Sequence, residues 1–354
     1  MTEERKIHDA SAARPALAVE VRADPAFELL IGVSTLTAER EPEHASWLPD
    51  DLSSCSVSLR RAIDQIGAEA GEVWLHLLGL ALESPVGTAA EFVDAVAQVD
   101  AHELRRHVVG VHVPSWRVVA GAETLERAAA GDRRAIAALL EHDRYYAGRA
   151  RQSLERLLPL TAAQTKRRIV SVLRRFGDEV FASHATEVTT ALAADVEAKR
   201  ALAVHVSVDA LICAAARGFV YEREPEAARV VLAPHLAARP WLLLCQHRDA
   251  RIICYPAEET VEAERDVQER ALMLGRALGD EARVQIVRRL AAGDATLSEL
   301  TELTGLAKST AHHHLTQLRA AGLVVIRGNA RSYRYFLRAE AVSEAGTLLA
   351  ELMS

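Results

Sequence analysis

The side chains best suited to do chemistry in this chain stand close together near its carboxy terminus. Lys308, Ser309, Thr310, His312 and His313 fall in the first two turns of an expected helix, and Arg327, Arg331 and Arg334 follow on a glycine-containing hairpin. Between Leu303 and Ala339 there are six Lys or Arg and no Asp or Glu, in a chain of 354 residues whose formal net charge is -7. Such a local reversal of sign is the footprint of a surface that meets phosphate. Residues 261–354 carry twelve basic and twelve acidic side chains, so the whole acidic excess lies upstream of this basic segment.

Three other groupings invite a chemical reading. The run His312, His313, His314 resembles a metal tract, but consecutive helical residues point about 100° apart and cannot converge on one ion. The stretch His102, Glu103, Leu104, Arg105, Arg106, His107 approaches the zinc-peptidase pattern H-E-x-x-H. Its histidines are one residue too far apart and diverge by about 140°, so a solvated helix is expected there. Cys245, His247 and Cys254 are the metal candidates. With a hairpin turn at Asp249 and Ala250, Cys245 would lie opposite Cys254, with His247 on the same face, able to hold zinc or sense oxidants. The competing reading makes both cysteines small apolar residues of a buried strand, and a slip of one residue in the turn removes the geometry. No Gly-rich phosphate loop, nucleophile elbow or spaced metal set stands elsewhere, so no catalytic residue and no cofactor are expected. The four cysteines are too scattered for a disulfide scaffold.

The elements that must position these residues divide at about residue 260. Length suits two or three domains, and half of the residues are apolar. No apolar run reaches the roughly 18 residues of a membrane span, and Met1 to Arg5 lacks the apolar core of a secretory signal, so a cytoplasmic protein is expected. Residues 16–22 alternate as a strand, and Asp24 and Pro25 start a helix. Further helical patterns cover residues 57–66, 72–82, 89–99, 125–141, 162–176 and 185–201. Short apolar runs at 229–232, 241–245 and 251–255 give a small β element within 219–256. Beyond the Glu-rich stretch 257–264, helices are expected at 264–278, 281–290, 297–304 and 308–320, with Asp280 as a cap, Gly305 at a turn and Gly322 as a stop. Strands at 323–326 and 332–337 then form the basic hairpin. A last helix, 341–353, spaces Val342, Ala345, Leu349 and Leu352 as a seam that suits a dimer.

The stretch LGRALGDEARVQIVRRLAAGDATLSELTELTGLAKSTAHHHLTQLRAAGLVVIRGNARSYRYFL resembles the winged helix-turn-helix domain of ArsR-type bacterial transcription regulators. The segments ADPAFELLIGVSTLTAEREPEHASWL and VVLAPHLAARPWLLLCQHRDARIICYP also resemble an uncharacterised amino-terminal domain fused to such winged helices. The first resemblance implies a homodimer on double-stranded operator DNA, usually a repressor released by a ligand. It does not bring the family's metal sites with it. The stretch Ala295 to Leu300 has no cysteine, and the last helix offers only Glu340, Glu344 and Glu351.

The expected fold is thus mainly α with small β elements: a helical amino-terminal domain, 1–260, that receives a signal, followed by a winged helix-turn-helix, 261–354. The expected function is a non-enzymatic transcriptional regulator with an unknown small-molecule or protein effector. The alternatives are a winged helix that binds protein, separable by the steep salt dependence of DNA binding, and an enzyme-like amino-terminal domain fused to a DNA-binding one.

Overall fold

The computed structural model describes residues 17–37, 47–49, 51–67, 71–142, 145, 151–257, 267–329 and 332–353. Among the described residues the chain is mainly helical and carries two small sheets. The first sheet has the order β1 (Ala18–Val21), β3 (Arg229–His235), β5 (Ala250–Pro256), β4 (Leu243–His247), and the second is β2 (Phe219–Tyr221), β6 (Val324–Gly328), β7 (Tyr333–Leu337). β1, β3 and β5 run parallel, whereas β4 returns antiparallel against β5.

The first sheet is covered on both faces, which explains why β3 and β5 read as continuous apolar runs rather than as alternating ones. Period two still sorts their side chains. Val231, Ala233, Ile252 and Cys254 enter a core shared with the upstream helices, among them Pro25–Leu36, Ala89–Gln98, Ala101–Val109 and Ala162–Phe176. Val230, Leu232, Ile253 and Tyr255 enter a second core, which continues through Leu211, Ile212 and Phe219 into Ile286, Leu290, Leu315, Leu318 and Ile326 of the carboxy-terminal elements. β2 adds to β6 in parallel, pairing Phe219 with Ile326. The core of the carboxy-terminal unit therefore begins well upstream of residue 260.

Local sequence sets most element boundaries. Asp24 accepts from the Ala26 amide at 2.9 Å, with Pro25 behind it in the first helical turn. Residues 72–82 form two helices, Gly71–His76 and Leu78–Glu83, and not the single one expected. The pattern at 125–141 is likewise two helices, Ala122–Ala129 and Arg133–Leu140. There Gly131 adopts φ +95 and Asp132 caps a new start through the Arg134 and Ala135 amides. The helix Ala101–Val109 forms as expected, but it is not solvated: Arg105 and His107 are buried. Arg105 satisfies its charge by donating to the Leu158 carbonyl at 2.6 Å. Deep in the first core, Glu28 accepts from the amides of Leu236 and Ala237 and from Trp47 Nε1. Burial nevertheless pushes its carboxyl up to about 7.

Candidate nucleic-acid interface

The helix Leu297–Thr304 opens with a reciprocal cap, in which the Thr296 amide donates to Glu299 Oε2 and the Glu299 amide to Thr296 Oγ1. It closes on Gly305 at φ 69, a left-handed position that a residue with a Cβ rarely adopts. That turn sends the chain into the helix Lys308–Ala320, anchored by Leu315 and Leu318. Ala307 offers no side-chain cap, so the first amides of this helix face outward beside exposed Lys308, Ser309 and Thr310. An uncapped helix start carrying one lysine and two hydroxyls fits phosphate and base edges.

The middle of the same helix is turned elsewhere. His312 stacks on Trp241, with ring centroids 4.9 Å apart and an interplanar angle of 18°. The His313 ring lies 6.1 Å from Trp241, and His313 Nε2 stands 2.9 Å from Gln317 Nε2. His314, half-buried, receives a hydrogen bond on Nδ1 from Arg283 at 3.2 Å. Further along, Arg319 is buried and donates to the Pro240 carbonyl at 2.7 Å and to the Ala216 carbonyl at 3.0 Å. Desolvation lowers its pKa to about 10, still charged at neutral pH. His312 and Arg319, seven residues apart, thus lie on one face that docks on upstream chain.

The wing is less open than its composition suggests. Arg327 is exposed, its guanidinium 4.9 Å from the Phe336 ring centroid, and it stands opposite Arg334 in the ladder. Arg334, however, pairs with Asp294 and, at 3.3 Å, with Glu299. Arg338 pairs with Glu344 and donates to the Gly322 carbonyl. Arg331 lies outside the described residues. The six positive charges are therefore not all uncompensated. Acids from just outside the segment neutralise two of them, and backbone carbonyls hold a third.

The expected cysteine cluster does not assemble. His247 pairs with Ala250 and Leu243 with Cys254, so the hairpin turns one residue earlier than expected and Cys245 faces Ile252. Cys254 is fully buried among apolar groups, which raises its thiol well above the ordinary range. His247 instead directs Nε2 at Glu83 Oε1, 2.8 Å away. Sequence reasoning missed Trp241, Pro240 and Arg283 as partners of the recognition helix. Only Trp241, an aromatic between strands and next to Pro240, offered any signal.

Three helices ending in Lys308–Ala320, followed by the β6–β7 hairpin, define a winged helix-turn-helix, the fold of many DNA-binding regulators. Residues 280–325 match the model of the bacterial regulatory protein, arsR family. The carboxy-terminal part of the chain is accordingly an ArsR-type helix-turn-helix, the DNA-binding element of a transcription regulator. No curated protein and no solved structure matches the chain. Among the described residues, no helix is long and apolar enough to cross a membrane.

Proposed function

We propose that this chain is a bacterial transcriptional repressor that binds operator DNA as a homodimer in the cytoplasm and is modulated through its amino-terminal domain. The observation that carries this reading is the exposed, uncapped start of the recognition helix at Lys308, Ser309 and Thr310 within an ArsR-type unit. Residues 1–260 would receive the signal and 261–354 would read DNA, with Arg327 and Arg331 of the wing on the phosphate backbone. Dimerisation draws support from the helices Val267–Leu278 and Ala341–Leu352, which pack together and leave Leu272, Leu349 and Leu352 exposed at 52%, 50% and 44%. Modulation draws support from Trp241 and Pro240, which hold the middle of the recognition helix. In this docked arrangement His312 and Arg319 are spoken for, and an effector that loosens or tightens the dock would change operator affinity.

Fluorescence anisotropy with DNA from upstream of the protein's own gene, against a scrambled duplex and at two salt concentrations, tests the reading. Tight, salt-sensitive binding that favours the native duplex is expected. Lys308→Ala should weaken it about tenfold and make the salt slope shallower by about one. No binding to either duplex at low salt would overturn the reading and leave the winged helix as a protein-binding module.

A further inference from the structure

Five side chains from four separate stretches of chain meet between the upstream helices and the end of β4. Glu83 ends the helix Leu78–Glu83, Glu103 and His107 stand one turn apart on Ala101–Val109, His112 follows the left-handed cap Gly110, and His247 ends β4. The ring centroids of His107 lie 4.7 Å from those of His112 and 5.4 Å from those of His247, and the latter two are 5.5 Å apart. All three Nε2 atoms turn toward the carboxylates. His112 Nε2 is 2.8 Å from Glu103 Oε1 and His247 Nε2 is 2.8 Å from Glu83 Oε1. His107 Nε2 sits between the two acids, 3.7 Å from Glu83 Oε2 and 3.8 Å from Glu103 Oε1. The His107 side chain is fully buried, and among the described residues neither of its ring nitrogens has a hydrogen-bond partner. An unsatisfied buried polar group is costly, and a fold keeps one where something else satisfies it.

We propose that Glu83, Glu103, His107, His112 and His247 form a binding site for a divalent first-row transition-metal ion, with zinc as the ion of choice. Ligands about 2.1 Å from a tetrahedral ion are roughly 3.4 Å from one another. The donor atoms of Glu103, His107 and His112 already lie within 4.8 Å of one another, so small side-chain rotations bring these three to the geometry, and Glu83 and His247, which flank them, supply the remaining positions. Imidazole and carboxylate without thiolate suit zinc, nickel or cobalt, whereas calcium and magnesium prefer oxygen alone.

The surroundings fit a site as well. Glu103 spends its other oxygen on Arg106 Nη1 at 2.9 Å, and Arg248 Nε holds Glu83 Oε1 at 2.7 Å, which orients both acids. Each acid keeps 32% of its side chain exposed, so the carboxylates form the rim through which an ion enters and the histidines the floor. Gly79 makes room for the ring of His247: a Cβ there would stand 2.1 Å from its Nδ1. His76 accepts from Trp116 Nε1 at 3.0 Å and walls the cluster rather than joining it.

The site stands independently of the DNA-binding reading, and its test needs no DNA. Full-length protein stripped with chelator is titrated with zinc chloride by calorimetry and with cobalt chloride by absorption, and its melting is followed with and without zinc. One equivalent should bind, the cobalt spectrum should show tetrahedral or five-coordinate bands without thiolate charge transfer, and zinc should raise the melting temperature. His107→Gln and Glu103→Gln should weaken zinc at least tenfold. His112→Gln, at the less buried edge, removes a ligand with the least damage should His107→Gln fail to fold. Cys245→Ser and Cys254→Ser should bind as the parent does. Absence of stoichiometric binding by the parent protein, undiminished binding by folded His112→Gln and Glu103→Gln, or loss confined to the cysteine variants would each overturn the proposal.

Discussion

The chain gathers histidines in two places, and the contrast between them shows how differently sequence and fold bring side chains together. His312, His313 and His314 are adjacent in sequence, yet the helix sends them to three partners: Trp241, Gln317 and Arg283. His107, His112 and His247 are spread over more than a hundred residues, yet their rings touch. Adjacency on a helix disperses side chains, whereas closure of a core around a sheet collects them. The collected group lies in the first core, which also encloses the ionisable Glu28 and Arg105. The dispersed group lies on a helix whose inner side belongs to the second core, where Leu, Ile and Val surround buried Arg319 and the Tyr255–Asp195 hydrogen bond.

If the first core tolerates polar groups because backbone donors offset part of their desolvation, Glu28 should report it most strongly. Its carboxyl is raised from 4.5 to about 7 by burial, against the opposing amides of Leu236 and Ala237 and the indole of Trp47. A raised acid keeps its proton in the folded state while the unfolded chain has lost it. The stabilisation it gives is therefore complete below about pH 4.5 and is lost as pH rises through about 7. Over that window the unfolding free energy of the parent protein should fall by about 3 kcal/mol relative to that of Glu28→Gln, measured by urea denaturation at each pH. Parallel pH profiles for the two proteins would mean that the backbone donors fully offset burial.

Gly79→Ala probes how tightly the collected histidines are held. The added methyl would overlap the His247 ring, so either the ring or the helix Leu78–Glu83 must move. The expected cost is about 2 kcal/mol of stability, together with zinc affinity lowered at least tenfold. Reduced stability with unchanged zinc affinity would show that His247 is not a ligand.

How much of this was legible follows the same division. The winged helix was readable because local rules write it. Asp280 caps, Gly305 takes a left-handed φ, and apolar spacing places Leu315 and Leu318 inward. The basic segment was readable as a footprint, but the pairing of Arg334 with Asp294 and of Arg338 with Glu344 was not, because charge counting ignores partners beyond the window's edges. The cysteine cluster turned on a single residue of register: moving the turn from 249–250 to 248–249 puts Ile252 opposite Cys245. Glu103 and His107 stand within a failed H-E-x-x-H spacing set by the exposed His102, whereas the informative pair is the glutamate and the histidine one turn later. Nothing in a linear reading joins them to Glu83 and His247. That meeting depends on β4 returning along β5 beneath the helix that ends at Glu83.

His312 gives the smallest expected effect and the sharpest test of the dispersed group. As a base reader it would contribute to operator affinity and not to binding of random duplex. Its stack on Trp241 gives it a different role, as a contact that favours the docked state by about 1 kcal/mol. If that state binds DNA more weakly, His312→Ala should shift the equilibrium toward release and raise affinity for operator and scrambled duplex alike, by up to about fivefold. Thr310→Ala, on the exposed first turn, should instead lower affinity for the operator alone. Anisotropy titrations of both variants on both duplexes separate the roles. A loss confined to the operator for His312→Ala would return that residue to base reading and would require the recognition helix to leave Trp241 before it meets DNA.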